Sequence, residues 1–282
     1  MRAAVLGSPV AHSLSPALHT AAYAALGLAG WSYERRECTG SELPGFVDGL
    51  GPGWAGLSLT MPLKRVALDV ADEVAPLAAA TGAANTLVLR DGRRVAHNTD
   101  VAGIVAALRS EAVDGARGRA VVLGAGGTAQ AALAALRELG IADVTVLVRS
   151  LARTAELRAA AERLGVDPVV DDALRDPARA SAALRGADVV VSTLPRGAAD
   201  ALTGARGVVL DVVYAPWPTP FAATAAGAGA RVVSGLEMLL HQAVAQVELM
   251  TGRPGPVDAM RAALDAAASD ATAPDATTAA RA

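Results

Sequence analysis

Residues 119–140, RAVVLGAGGTAQAALAALRELG, place a short β-branched run, a glycine-rich turn and a long alanine/leucine segment in direct succession. The run predicts a buried strand, the segment predicts a helix, and Gly124, Gly126 and Ala129 fall in GxGxxA spacing between them. Such a turn brings backbone N–H groups against a pyrophosphate at a helix N-terminus, where the dipole favours negative charge. The loop residues Gly124, Ala125, Gly126, Gly127, Thr128 and Ala129 are therefore candidate cofactor contacts.

Outward from this unit the pattern repeats. The strand DVTVLVR, the helical ARTAELRAAAERLG and strands near PVV, DVVVST, GVVLDVVY and RVVS predict a doubly wound α/β domain over residues 102–234. The end of the second strand reads LVRSLAR. An acidic residue there would bond a free ribose hydroxyl, whereas Arg149, Ser150 and Arg153 make a clamp for a 2′-phosphate, so NADP(H) is favoured over NAD.

Residues 1–101 alternate short apolar runs (RAAVLG, WSYERREC, AGLSLTM) with helical patterns such as SPALHTAAYAALG, predicting βαβ units in a mainly parallel sheet. Ser15 before Pro16 is a helix-start signal, and Asp100 stands at the start of the helix DVAGIVAALRSE. Within NTLVLRDGRRVAHNTD, two strands flank an Asp91-Gly92 turn. After RVVS, Gly235 opens the helix LEMLLHQAVAQVELMTG, and VDAMRAALDAAA forms another. These helices, 235–268, complete the first domain, and 269–282 is expected to be a flexible tail.

With 282 residues, two domains are the natural division. A net charge of −3 and scattered arginines give no basic field for nucleic acid, and the longest uncharged stretch, 212–230, is broken by three prolines, so no membrane span is expected. Cys38 is the lone cysteine, which excludes an internal disulfide, fits a reducing cytoplasm and offers no metal cluster. The sequence leaves a homodimer open.

The polar residues are more telling. Among 25 Lys plus Arg residues, Lys64 in LSLTMPLKR is the sole lysine. A guanidinium stays protonated in ordinary protein settings, whereas an amine can give up a proton, so Lys64 is a candidate proton donor. Asparagine occurs only at Asn85 and Asn98, and glutamine only at Gln130, Gln242 and Gln246.

Taken in order, GSPVAHSLSPALH, LTMPLK, GAANTL, NTD, GAGGTA, RSLAR, DVVYAPWPTPF and GLEMLLHQA resemble the shikimate dehydrogenase family from about Val5 to Gly252. The resemblance implies that Lys64 and Asp100 are the catalytic pair. It further implies that Ser13 and Ser15 bind a substrate carboxylate, with Thr60, Asn85, Tyr214 and Gln242 completing the pocket, that Gly235 lies near the nicotinamide, and that Val212 is a cofactor contact. The implied reaction is reversible NADPH-linked reduction of 3-dehydroshikimate to shikimate, a step toward aromatic amino acids. An ammonium beside the ring carbonyl would stabilise the charge developing on oxygen and then protonate it.

Ser58 and Val148 stand where the family commonly has asparagine, Val101 replaces a frequent glycine, and STLPRG differs from the commoner loop. A quinate/shikimate or aminoshikimate dehydrogenase would share the same groups. A non-catalytic sensor of nucleotide and a shikimate-like ligand is the reading from another class, and retention of both Lys64 and Asp100 weighs against it. A short-chain dehydrogenase would need tyrosine four residues before its lysine, where Thr60 stands.

Overall fold

A computed structural model of the chain describes residues 1–113 and 118–272. Two six-stranded sheets organise them. The first contains β1 (Arg2–Gly7), β2 (Ser32–Glu37), β3 (Trp54–Leu59), β4 (Glu73–Val74), β5 (Thr86–Arg90) and β6 (Arg93–His97) in the order β2-β1-β3-β5-β6-β4. The β1–β2, β1–β3 and β4–β6 pairs are parallel, while β5 runs antiparallel to both β3 and β6. Asp91 and Gly92 turn between β5 and β6 with φ of 53° and 73°, the double positive-φ geometry that Asp-Gly favours in a two-residue hairpin.

Side chains alternate across this sheet with the period of two that a strand imposes. Ala3 and Val5 pack under α1 (Ser15–Ala25), whereas Ala4 and Leu6 face α2 (Leu43–Asp48), α3 (Val66–Asp69) and α4 (Pro76–Thr81). Lys64 lies in the turn preceding α3 rather than inside a helix. Helix α5 (Asp100–Arg109) then leads to the second sheet.

That sheet holds β7 (Arg119–Leu123), β8 (Asp143–Leu147), β9 (Val169–Asp171), β10 (Val189–Ser192), β11 (Val208–Asp211) and β12 (Arg231–Ser234). Its order, β12-β11-β10-β7-β8-β9, is parallel throughout and reverses beside β7, which makes a switch point at the glycine turn. Ala120 and Val122 pack beneath α5, α6 (Gly127–Glu138) and α7 (Ala155–Leu164), and Val121 and Leu123 beneath α8 (Pro177–Leu184) and α9 (Pro220–Gly227).

The chain returns through α10 (Gly235–Thr251) and α11 (Val257–Thr272), which cover the α1 face of the first sheet. Ser234 caps α10 by accepting from the Leu236 N–H at 3.2 Å. Helix α11 runs to Thr272, four residues into the segment expected as a tail; alanines favour the helix there, and Ser269 Oγ bonds the Asp265 carbonyl at 2.9 Å. Residues 273–282 of that segment lie outside the described residues. Among the described residues no helix is long and apolar enough to cross a membrane.

Candidate active site

A cavity of about 330 Å³ opens where the carboxyl ends of β1, β3, β11 and β12 face one another. Its wall brings together Ser13, Ser15, Thr60, Lys64, Asn85, Asp100, Tyr214 and Gln242, residues spread over more than two hundred positions of sequence, and Thr128, Val212 and Gly235 join them. Lys64 Nζ donates to Asp100 Oδ2 at 2.5 Å, while Asn85 Nδ2 donates to Asp100 Oδ1 at 2.7 Å. Each carboxylate oxygen thus has its own donor. The lysine side chain keeps 21% of its surface exposed against 5% for the aspartate, so the ammonium faces the cavity and the carboxylate lies behind it. Lys64 Nζ also reaches Thr128 Oγ1 at 3.4 Å, which links the first sheet's turn to the first turn of α6.

The structure changes two local expectations. Helix α1 begins at Ser15 and α5 at Asp100, but neither side chain caps its helix. Ser15 Oγ instead accepts from Ser13 Oγ at 3.2 Å, and the Asp100 carboxylate is turned toward Lys64. Both groups are free for chemistry because Pro16 has no N–H to satisfy and the Asp100 N–H is taken by Asn98 Oδ1 at 3.0 Å. Arg35 Nε holds the Ser13 carbonyl at 2.7 Å, bringing positive charge beside the two serines. Burial pushes the Tyr214 phenol up, partly opposed by the Arg35 charge, so Tyr214 presents a neutral O–H.

A second cavity, about 690 Å³, is lined by Gly124, Ala125, Gly126, Arg149, Ser150 and Arg153, together with Thr193 and its neighbours. Gly124 has φ of 107°, and a Cβ there would stand 2.6 Å from Thr193 Oγ1, so glycine is required. A Cβ on Gly126 would meet nothing within 4 Å, which leaves the space before the α6 N-terminus open, and no side chain caps that helix. Arg149 and Arg153 are exposed and have no side-chain partner among the described residues, whereas Arg94, Arg179 and Arg261 are ion-paired. Open backbone donors beside two unpaired guanidinium groups fit a phosphorylated dinucleotide. Gly127 and Ala129 do not line this cavity. A Cβ on Gly127 would lie 3.3 Å from the Ala83 Cβ, and Ala129 is fully buried in the core, where its small size lets α6 approach the sheet.

Sequence reasoning named Ser58 only as a departure from the family pattern and missed the rest of the first cavity's floor. Ser58 and Gln246 also line it, and behind them lie Tyr33, His19 and Thr86, all buried. Gln246 is one helical turn beyond Gln242, and that spacing was the available signal.

Two family models match stretches of the chain. That of the shikimate dehydrogenase substrate binding domain matches residues 5–87, and that of the shikimate 5'-dehydrogenase C-terminal domain matches 235–264. The chain is 40% identical over 276 residues to the shikimate dehydrogenase (NADP(+)) of Symbiobacterium thermophilum, covering 93% of each. Among solved structures, Mycobacterium tuberculosis shikimate dehydrogenase is 49% identical with a TM-score of 0.84, over 94% of this chain and 98% of that one. Thermus thermophilus shikimate 5-dehydrogenase, solved in complex with NADP(H) and shikimate, is 35% identical with a TM-score of 0.80, over 95% and 99%. A chain that aligns with these enzymes almost from end to end at this identity shares their descent, and the protein belongs to the shikimate dehydrogenase family.

Proposed function

We propose that the protein catalyses the reversible NADP-linked interconversion of 3-dehydroshikimate and shikimate, with Lys64 and Asp100 as its catalytic pair. The observation that carries the reading is the position of the Lys64 ammonium, 2.5 Å from Asp100 and 3.4 Å from Thr128, where the cavity meets the cofactor helix. In this reading residues 1–101 and 235–268 hold the substrate and 102–234 the cofactor.

Ser15 donates its hydroxyl hydrogen to the ring carboxylate, Ser13 turns its own hydrogen from Ser15 to the second carboxylate oxygen, and Tyr214 and Gln242 bound the ring opposite. The backbone N–H groups before α6 take the pyrophosphate, and Arg149, Ser150 and Arg153 take the 2′-phosphate. Bound NADPH supplies a hydride to the ring carbonyl carbon. Lys64 directs its remaining N–H toward the carbonyl oxygen, stabilises the charge that develops there and delivers the proton to that oxygen. Asp100 holds the amine in place, and solvent at the partly exposed Nζ restores the proton. The cytoplasm is the proposed location, suited to the single free thiol of Cys38.

Purified protein is offered shikimate, quinate and aminoshikimate, each with NADP and then with NAD, and the absorbance of the reduced nicotinamide is followed. Rapid reduction of NADP by shikimate is expected. Preferential turnover of quinate or aminoshikimate would move the enzyme to a relative's reaction, and tight NADPH binding without turnover of any acid would replace the reading with a sensor.

A further inference from the structure

We propose that Gln246 is a positioning residue for the Lys64–Asp100 pair, acting through Thr86 and Asn85; the inference rests on the dehydrogenase reading above. Gln246 lies on α10 at the floor of the first cavity and is 1% exposed. Its Nε2 donates to the Asn85 carbonyl at 3.2 Å and to Thr86 Oγ1 at 3.0 Å. A carbonyl can only accept, so this contact fixes which end of the amide points there. The other end, Oε1, accepts from Ser58 Oγ at 2.7 Å and faces His19 Nε2 at 3.2 Å.

All four hydrogen-bonding positions of the amide are therefore filled by protein. Gln246 has nothing left to give a ligand, which separates it from Gln242, whose side chain opens on the same cavity. The surroundings are themselves fixed. Ser58 accepts from the Tyr33 hydroxyl at 2.7 Å, and His19, fully buried, meets Tyr23 at its Nδ1 at 3.4 Å.

The bonds run in one direction toward the catalytic pair. Because Thr86 Oγ1 accepts from Gln246, its single hydrogen is directed to Asn85 Oδ1, at 2.9 Å. Asn85 Oδ1 also accepts from the Thr99 N–H at 2.8 Å. With its oxygen held by these donors, Asn85 must present Nδ2 to Asp100 Oδ1, at 2.7 Å. An inverted Asn85 amide would set its oxygen against the carboxylate, and Asp100 would turn away and take the Lys64 ammonium with it. Asn85 itself lines the cavity, but the substrate keeps its contacts with the serines and Tyr214, so disturbing this chain should act on the chemical step more than on binding.

The test uses two variants of the full chain, Gln246→Met, which keeps size and loses the amide, and Thr86→Val, which removes the middle link and leaves the Ser58 and His19 bonds to Gln246 Oε1 in place. Each is made in the wild-type and in the Lys64→Met background, and shikimate oxidation is measured. In the wild-type background we expect kcat to fall roughly 10- to 100-fold, the scale of a small misplacement of a catalytic group, while KM for shikimate and NADPH affinity change by less than about threefold. In the Lys64→Met background neither variant should lower the residual rate further, since the group being positioned is gone. A merely structural role would instead repeat the loss in both backgrounds and would overturn the inference. If Gln246→Met does not fold, Thr86→Val decides alone, and a wild-type kcat in that variant overturns the proposal. A wild type that oxidises none of the three acids overturns the dehydrogenase reading and the inference together, whereas an active wild type with an unaffected Thr86→Val overturns only the inference.

Discussion

Lys64 is the one lysine beside 24 arginines, and the structure gives that amine one carboxylate, one hydroxyl and an open cavity. Charge alone would be conserved by Lys64→Arg, but a guanidinium cannot release the proton. Both Lys64→Met and Lys64→Arg should lower kcat by roughly 100- to 10,000-fold with NADPH binding retained, the range expected for loss of general acid catalysis. Equal turnover of wild type and Lys64→Arg would show that charge suffices and that the proton comes from elsewhere. At the second cavity, Arg149→Ala should raise KM for NADP by roughly 10- to 100-fold, the worth of a charge-assisted hydrogen bond, and leave KM for NAD nearly unchanged. A parallel rise for both cofactors would place Arg149 on a part they share. These groups were legible in the sequence through scarcity and motif order. Gln246 was not, because composition shows only that glutamine is rare, and which of two glutamines a turn apart serves the ligand depends on how its hydrogen bonds are filled.

Among elements, α5 and α10 decide how the cavity is held, since α5 carries Asp100 and α10 carries Gln242 and Gln246. They pack closely at Gly103, where a Cβ would stand 2.7 Å from the Met238 carbonyl oxygen and 3.1 Å from the Gln242 Cβ. Helix propensity alone makes Gly103→Ala stabilising by about 1 kcal/mol, while forcing a methyl against backbone costs about 1–3 kcal/mol. The carbonyl cannot move without its helix, so the second effect should win: a lower thermal midpoint, and a higher KM for shikimate as Gln242 is displaced. A raised midpoint with unchanged KM would mean that the helices separate freely. The same contact shows where sequence reading stops. The strands and long helices were legible because each carries its own period, as in β7, where alternate residues enter opposite cores. Two-residue β4 carries no period, and its pairing with β6 comes from tertiary packing. Glycine at 103 reads as a weak helix residue until its neighbour on α10 is known.

At the scale of the whole molecule, the two sheets are joined at the cavity by Lys64 and Thr128, and outside it by an Arg65–Glu156 ion pair and by Arg163 Nε on the Ala80 carbonyl at 3.0 Å. The ion pair is exposed on both sides, where water and salt screen it, so it contributes little to holding the sheets together. A global term lies in the first core, where His19 is fully buried against Tyr23, Tyr33 and Gln246, with no carboxylate among the described residues to share its charge. Burial lowers its pKa from 6.5 to about 4, with the Gln246 contact opposing. The unfolded chain therefore binds this proton at a higher pH than the folded one. Stability from the neutral ring is complete above pH 6.5 and is lost as pH falls toward about 4, by about 2 kcal/mol at pH 5. His97 and His241, also lowered mainly by burial, act in the same direction, while Asp211, raised by burial, acts in the opposite one. Denaturant unfolding at pH 7 and at about pH 5 should show this loss, and His19→Asn, which keeps a donor for Gln246 but cannot take a proton, should remove most of it. An equal loss in the variant would assign the acid sensitivity to groups other than His19, among them the other two histidines and Glu237, whose carboxyl the Arg261 guanidinium holds low.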